Sequence, residues 1–516
     1  MVIPPFHNEP STDFTDPSDR RAFEEAIQRV TARLGATYPL RIGGREVMTD
    51  DRSRSLNPAR PSQLIGTHAM AGLAEVDAAV AAATAAFPTW SRTTAEERAA
   101  LLLRAAQAVR LRRHELSALM VLEAGKPWDE ADGETSEVID LMEWYARQTI
   151  RLAHDEGITP LPGEILEYRY LPLGVGAIIS PWNFPLALLT GMMTGALATG
   201  NTVVVKPASA TSVCAAWLLD VFRDVRMPDG VINLCTGRGD VVGDALVSHP
   251  GVRFVAFTGS REVGLRIYEH AARASEGQRW LKKVQLELGG KNAVVVDETA
   301  DLELAAHEIV TSAFGFQGQK CSAGSRAILI GSTYDEVVER VLAATRALRV
   351  DDPSDPAVDV GPLIDAAAER KVLGYVEVGR NEGRLLLGGR KLDRDGYFVE
   401  PTVFGDVPPS ARIAQEEIFG PVLSVIRAKD VDEAIEIANG TEYGLTGSFF
   451  SRDPARIAQA RATFHAGNLY INRKSTGALM GVHPFGGFNM SGTDTKAGGP
   501  DYLLFFVQAQ AIGERL

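Results

Sequence analysis

The sequence predicts an α/β protein built on doubly wound, mainly parallel sheets, and three observations lead there. From Gly174 onward, short apolar runs (GVGAIIS, NTVVVKP, VINLCTG, VRFVAFTG, VQLELGG) alternate with helical stretches, as strands joined by crossover helices do. After Gly289 a second series begins, with NAVVVD, RAILI and PVLSVIRA and intervening helices such as LELAAHEIVTSAFGF. The chain has 516 residues, more than one hydrophobic core usually organises, so at least two domains are expected.

Taken in chain order, residues 19 to 34 and 74 to 150 are rich in Ala, Leu and Glu, with apolar positions at helical spacing, as in LLLRAAQAVRLRRHELSALMVLEAGK. These read as amphipathic helices. The following EGITPLPGEILEYRYLPLG has few helix signals and many Pro and Gly, which predicts a β-hairpin or arm leaving the first domain. Tyr170 to Val205 contains no charged residue and is long enough to cross a bilayer. Its Pro181, Asn183, Pro185, Gly191, Gly195, Gly200 and Asn201 divide it into strand, loop, helix and strand, the pattern of a buried α/β core. The final DYLLFFVQAQAIGERL is a short apolar tail, and an exposed hairpin and such a tail both favour assembly.

Composition narrows the function classes. With 45% apolar and 23% charged residues the chain is an ordinary globular protein. Its 53 basic and 66 acidic residues give a net charge of −13, which argues against a nucleic-acid partner. Three cysteines, Cys214, Cys235 and Cys321, offer neither a disulfide framework nor a zinc site, so no metal is expected and a reducing compartment is the simpler reading. The opening MVIPPFHNEPSTDFTDPSDRR resembles neither a secretion signal nor a transit peptide, so a cytoplasmic location is expected.

Three residues stand out chemically. Cys321 lies in FGFQGQKCSAGSR, where small neighbours let a carbonyl group approach the sulfur. A thiol attacks as thiolate, so a nucleophilic role needs activation by its surroundings. Most lone cysteines are instead small buried hydrophobes, the reading given to Cys214 and Cys235. Glu287 closes the strand-like VQLELGGKN, where Gly289 and Gly290 would allow a sharp turn and a mobile carboxylate suited to activating water. A solvated strand-end glutamate is the plainer alternative. Asn183, in SPWNFP between a strand and a helix, is placed to donate to an oxyanion, or simply to form a turn.

Three further segments suit a dinucleotide. VVVKPAS ends a strand with Lys206; CTGRGDVVG carries Gly237, Gly239 and Gly243; FTGSREVG places Thr258, Gly259 and Ser260 at a helix start, where backbone N–H groups attract phosphate. None is the GxGxxG fingerprint in its usual place, and each signal alone is weak.

In order, PWNFP, VVKP, FTGSxxVG, ELGGKN, the GQKC element, EEIFGPV and PFGGFxxSG resemble the aldehyde dehydrogenase superfamily from about Leu40 to the C-terminus. The resemblance implies a Rossmann-like NAD-binding domain with N-terminal helices (1–149 and 171–286), an α/β catalytic domain (287–485), and an oligomerisation arm and tail (150–170 and 486–516). It implies a homo-oligomer, at least a dimer, and no membrane. By motif, Cys321 is the nucleophile, Glu287 the general base, and Asn183 with the Cys321 N–H the oxyanion hole. Ser180, Trp182, Lys206, Ser209, Gly239, Gly243, Thr258, Gly259, Ser260, Leu288, Gly289, Glu417 and Phe419 fall at cofactor positions. NAD-preferring members usually carry glutamate where this chain has Ser209, so NAD is expected with NADP also accommodated.

Within the superfamily, PFHNEP, FQGQKCSA and INRKSTGALMGVHPFGGFNMSGTDTKAGGPDYL resemble the branch that oxidises L-glutamate γ-semialdehyde, formed from 1-pyrroline-5-carboxylate, to glutamate. That implies a substrate carboxylate held by the Gly477 and Ala478 N–H groups and the Ser322 hydroxyl. It also implies a stem between Phe184 and Phe485 and an ammonium near Glu137. A stand-alone chain of this kind would receive its substrate from a separate proline dehydrogenase. Two alternatives remain at this stage: another aldehyde dehydrogenase, such as one for succinate semialdehyde, and a non-catalytic structural protein on the same fold.

Overall fold

The computed structural model describes residues 3–154, 158–493 and 495–516. The first sheet has seven strands in the order Lys283–Glu287, Val252–Thr258, Val175–Ile179, Thr202–Lys206, Ile232–Leu234, Leu40–Ile42 and Arg45–Val47. The first five run parallel, and Leu40–Ile42 pairs antiparallel with the neighbour on each side. The chain builds outward from Val175–Ile179 to Ile232–Leu234, then returns to add Val252–Thr258 on the other side. The strand order therefore reverses between Val175–Ile179 and Val252–Thr258. A crevice opens at the carboxyl ends of the strands at such a reversal.

The second sheet runs Arg384–Leu387, Thr402–Gly405, Val422–Ala428, Arg326–Ile330, Ala293–Val296, Thr446–Phe450, Asn468–Ile471. All its pairings are parallel except the antiparallel edge strand Arg384–Leu387. Val175–Ile179, Thr202–Lys206, Ala293–Val296 and Arg326–Ile330 are buried throughout, which is why they read as unbroken apolar runs. Lys206 and Arg326 are the charged exceptions, and Arg326 is a fully buried cation. Its guanidinium donates to the carbonyls of Lys291 (2.9 Å), Ile437 (2.8 Å) and Ala438 (2.8 Å), so its donors meet protein oxygens instead of water.

The helices at the start of the chain, Pro17–Thr31, Leu73–Trp90, Ala95–Leu111, Arg113–Ala124 and Trp128–Ala153, pack on the first sheet. Thr94 and Glu97 form a reciprocal capping box at one of them, satisfying two otherwise orphaned N–H groups. Tyr170 to Val205 divides into strand ends, the helix Ala187–Ala198 and Thr202–Lys206, and no helix among the described residues is long and apolar enough to cross a membrane.

The chain's last segment corrects two expectations. Glu164–Pro172 does not fold back as a hairpin; it pairs antiparallel with Val507–Arg515 from the end of the chain. Only one β-forming run exists locally, and the alternating VQAQAIGER supplies the partner. The apolar half of the tail is not exposed either. Tyr502–Phe506 is a short 3₁₀ helix whose Tyr502, Leu503 and Phe506 are buried, with Phe505 and Phe506 edge-on to Phe254. The part expected as an arm at 150–170 begins inside the helix ending at Ala153, and its residues 155–157 lie outside the described residues, as does residue 494 of the expected tail.

Candidate active site

The helix Leu302–Phe314 ends in an unusual turn. Phe316 (φ 48°), Gln317 (φ 58°) and Gly318 (φ 66°) are all left-handed, and for the two side-chain-bearing residues this costs backbone energy. The surroundings hold it there. Gln317 Nε2 donates to Gly125 O (2.9 Å) and Pro362 O (2.8 Å), and Phe316 is fully buried between Trp182 and Phe184. At Gly318 a Cβ would come 2.4 Å from Gly420 O, so only glycine fits. The turn delivers Gln319, Lys320 and Cys321 to the amino-terminal edge of the second sheet.

That loop is held by side-chain amides and hydroxyls. Asn183 Nδ2 donates to Gln319 O (3.0 Å), and Asn292 Nδ2 donates to Cys321 O (2.7 Å) and Ala323 O (2.9 Å). Ser475 Oγ donates to Ser322 O (3.0 Å). Gln319 Oε1 accepts from Ile364 N (3.0 Å). Asn183 is 4% exposed, and its remaining amide hydrogen is available beyond the Gln319 bond. Asn292 escaped sequence reasoning, although it stands inside ELGGKN; a polar residue directly before a buried strand was the signal.

Gly289 and Gly290 do not act as the hinge the sequence suggested. Neither has a left-handed φ. A Cβ on Gly290 would lie 2.3 Å from Cys321 O, and one on Gly289 would lie 2.4 Å from Glu417 Oε2. Their role is close approach. Gly290 N donates to Glu417 Oε1 (2.9 Å), which seats Glu417 over the turn after Glu287. The Glu287 carboxylate, 7% exposed, packs over glycines 486 and 492, at whose Cβ positions Oε1 and Oε2 would stand 3.1 and 3.6 Å away.

Cys321 keeps part of its surface accessible while protein surrounds its sulfur. Burial pushes the thiol up to about 12, and the Glu417 and Glu287 carboxylates act in the same direction. Burial also raises Glu417, which the Gly290 N–H and the ammonium groups of Lys371 and Lys291 partly offset. Burial lowers the buried Lys291 to about 7, and the neighbouring Arg326 guanidinium pushes it the same way.

The crevice side of the first sheet gathers the other predicted residues. Ser180 follows Val175–Ile179, its N–H donating to Lys206 O (3.2 Å) and its buried Oγ meeting no partner among the described residues. Lys206 ends Thr202–Lys206; Nζ donates to Pro207 O (3.2 Å), and burial lowers the ammonium to about 8. Ser209 starts the turn Ser209–Thr211. Gly239 and Gly243 bound a one-turn π-helix, with open space around Gly239 and the Lys206 stem beside Gly243. Thr258 Oγ1 bonds Met192 Sδ (3.6 Å), Gly259 N donates to Glu287 O (3.0 Å), and Ser260 caps Arg261–Ala272 by accepting from Val263 N (3.4 Å). Leu288 N donates to Ser491 O (2.8 Å). Trp182 meets Phe419 edge-on at 5.6 Å, and Phe419 itself is left-handed (φ 60°).

Opposite lies a charged helix face. Glu130, Glu134 and Glu137 share one side of Trp128–Ala153. Glu134 Oε2 pairs with the wholly buried Lys126 Nζ at 2.5 Å, and Glu134 Oε1 accepts the N–H groups of Leu186 and Ala187. The Lys126 ammonium sits 3.7 Å over the Phe184 ring and 4.3 Å over Phe316. Burial and the Glu134 charge raise Glu137 to about 8. Gly477 is left-handed (φ 74°) in a loop closed by Arg473 Nη2, which donates to Thr476 O (3.1 Å) and Gly477 O (2.9 Å). Phe485 is half-buried and bonds Ala497 through both N–H and carbonyl (2.8 and 2.7 Å), leading directly into the glycine against Glu287. The Lys126–Glu134 pair was not legible in the sequence, because it joins a loop residue to the following helix at a spacing that matches no i,i+3 or i,i+4 pairing.

A crevice of nucleotide-binding type, with a cysteine-bearing loop and buried carboxylates beside it, is the arrangement of a nucleotide-dependent dehydrogenase. The chain belongs to the aldehyde dehydrogenase family, whose model matches residues 47–512. The 1-pyrroline-5-carboxylate dehydrogenase of Geobacillus sp. (strain WCH70) is 54% identical over 513 residues, 99% of this chain and 100% of that relative. The crystal structure of 1-pyrroline-5-carboxylate dehydrogenase from Thermus with bound NAD is 52% identical and superposes with a TM-score of 0.98, each chain fully covered. Proline utilization A (PutA) from Bdellovibrio bacteriovorus, inactivated by N-propargylglycine, is 42% identical with a TM-score of 0.97, covering all of this chain and 54% of that one.

Proposed function

We propose that the protein oxidises L-glutamate γ-semialdehyde, the open form of 1-pyrroline-5-carboxylate, to L-glutamate through a thioester on Cys321, with NAD as hydride acceptor. The observation that carries this is the meeting of two sheet edges. Glu287 ends a strand of the first sheet, and Cys321, tied through Gln319 to Asn183, stands at the facing edge of the second. Full-length relatives at 50–54% identity support the substrate.

In this reading Cys321 Sγ, having given up its proton, adds to the aldehyde carbon, the oxyanion accepts hydrogen bonds from the second Asn183 amide hydrogen and the Cys321 N–H, and loss of the aldehyde hydrogen as hydride leaves a thioester on the sulfur. Bound NAD supplies the hydride acceptor. Glu287 then takes a proton from water, the hydroxide attacks the thioester, and the sulfur leaves with the acid as product. The residues present suit the dinucleotide: among the described residues the Ser180 hydroxyl meets no partner and the Lys206 ammonium donates to the Pro207 carbonyl, and the space around Gly239 is open. Glu417 and Phe419 border the nicotinamide end, and Ser209 leaves room for NADP. Glu137 faces the substrate ammonium, Gly477, Ala478 and Ser322 the carboxylate, and Phe184 and Phe485 the stem. Because Arg473 is bound to its own loop carbonyls, a cationic grip on a simple dicarboxylic semialdehyde is less well supported.

In this reading the protein works in a reducing cytoplasm, assembles as a homo-oligomer of at least two chains with the Glu164–Pro172 and Val507–Arg515 ribbon at the contact, and takes up the product of a proline dehydrogenase. Comparing kcat/KM for glutamate and succinate semialdehydes tests the reading. A clear preference for glutamate semialdehyde is expected, and a strong succinate preference would overturn it.

A further inference from the structure

The opening segment PFHNEP lies outside the crevice yet touches two elements that border it. Asn8 Nδ2 donates to Asp140 Oδ2 (2.8 Å) on the helix Trp128–Ala153 and to Met480 O (3.0 Å) in the loop after Asn468–Ile471. Both amide hydrogens are therefore used. Glu9 N donates to the other Asp140 oxygen at 2.7 Å. Asp140 stands three residues after Glu137 on the same helix, and Met480 two residues after Ala478. One side chain thus joins the two substrate-facing elements that sequence distance keeps far apart.

The rest of the segment holds Asn8 in place. Arg147 Nε donates to Pro4 O (3.0 Å), Arg110 Nε to Glu9 Oε2 (2.8 Å), and Thr12 N to Asp132 Oδ2 (2.8 Å), lashing residues 4 to 12 to the helices Ala95–Leu111 and Trp128–Ala153. Phe6 stacks edge-on against Trp144 at 5.2 Å. Gly481, left-handed at φ 72°, threads the loop past both rings, since a Cβ there would lie 2.8 Å from Trp144 and 3.2 Å from Phe6. Asp140 is only 4% exposed, so its two oxygens depend on these donors.

We infer that Asn8 is a positioning residue for substrate selection: by holding Asp140 and Met480 together it sets the spacing between Glu137 and the Gly477–Ala478 N–H groups. The inference rests on the proposed substrate. Asn8 touches no reacting atom, so the sulfur chemistry itself is untouched by it. An aldehyde lacking the amino-acid head should not sense its loss.

The test measures Asn8→Ala and the nearly isosteric Asn8→Asp, which removes the donors while keeping the shape, against glutamate semialdehyde and butanal. Hydrogen exchange across 476–483 is followed in parallel. The expected result is a KM for glutamate semialdehyde raised about fivefold or more, the size of one lost hydrogen bond, with kcat nearly unchanged. Butanal turnover should hold, and exchange in the loop should quicken in both variants. An unchanged KM, an equal loss with both aldehydes, or unaltered exchange would overturn the inference. If the native enzyme shows no preference for glutamate semialdehyde over butanal, the proposed substrate fails instead, and the exchange measurement still decides whether Asn8 holds the loop.

Discussion

Lys320 Nζ lies 2.5 Å from Glu130 Oε1, so the residue directly before Cys321 is tied to the helix Trp128–Ala153. The contact is largely closed to water, with side-chain exposures of 9% for Lys320 and 25% for Glu130. Burial works to raise the Glu130 carboxyl, but the Lys320 charge and hydrogen bond, with Lys126 and Lys474 behind them, outweigh it and hold the group below its ordinary value. A carboxyl depressed in the folded state contributes stability above its unfolded pKa and loses it as pH falls through the folded one.

Removing the cation should therefore destabilise the protein in a pH-dependent way. Lys320→Met leaves a buried carboxylate uncompensated, which typically costs about 3 kcal/mol. That loss is expected at pH 7 and should shrink at pH 4, where burial lets Glu130 accept a proton in the variant. Unfolding midpoints at the two pH values check this. Equal losses at both would mean that the pair does not act through charge.

The thiol offers a second test. With Cys321 pushed up to about 12, the thiolate fraction of the nucleotide-free protein should climb about tenfold per pH unit between pH 7 and 10. Iodoacetamide labelling, located by mass spectrometry, should follow that climb at Cys321 while the fully buried Cys214 and Cys235 stay unmodified. Glu417→Gln should speed labelling at a fixed pH, because a nearby negative charge disfavouring thiolate has gone. A plateau below pH 9 would contradict the burial argument. Cys321→Ala should retain NAD binding and lose turnover.

Much of the fold was legible because strands buried on both faces are apolar at most positions, as in TVVVK and AVVV, and such runs survive without any knowledge of neighbours. Cys321 drew notice for a similar reason: its flanking glycines and serine are a local signal. What stayed hidden depends on distance. Nothing in EILEYRYLP announces that its partner is the end of the chain, and nothing in ELGGKN shows that its glycines clear space for Glu417 and the Cys321 carbonyl. Asn292 with Cys321 and Asn8 with Met480 are pairings across the folded chain, and Lys126 with Glu134 joins a connecting loop to the helix that follows it. A residue's type and spacing raise candidates; only packing says what each one touches.

Glu287 should reveal itself at the second half of the reaction. If its carboxylate takes the proton of water, Glu287→Gln slows thioester hydrolysis by about 10²–10⁴-fold, the usual range for a lost general base. Rapid mixing should then show a burst of NADH close to one per active site followed by slow turnover. Normal steady-state rates, or a burst as slow as the turnover, would remove Glu287 from that step.

Glu137 makes substrate recognition itself pH-sensitive. Its carboxyl is raised to about 8, first by burial and then by Glu134, so in the free enzyme at pH 7 the protonated, neutral form prevails. An incoming ammonium is best matched by the ionised form, and binding must then drive off a proton or wait for one to leave. The apparent affinity for an amino-bearing aldehyde should accordingly improve as pH rises from 7 toward 9, while butanal, with no ammonium, should show no such trend. Ring closure to 1-pyrroline-5-carboxylate also varies with pH, so Glu137→Gln serves as the control. It retains the substrate's own equilibrium but cannot ionise, and the part of the KM trend that belongs to the enzyme should vanish in it. If native and variant enzymes give parallel KM profiles, the carboxyl of Glu137 is not what meets the ammonium, and the charge of that helix face serves Lys126 and Lys320 alone.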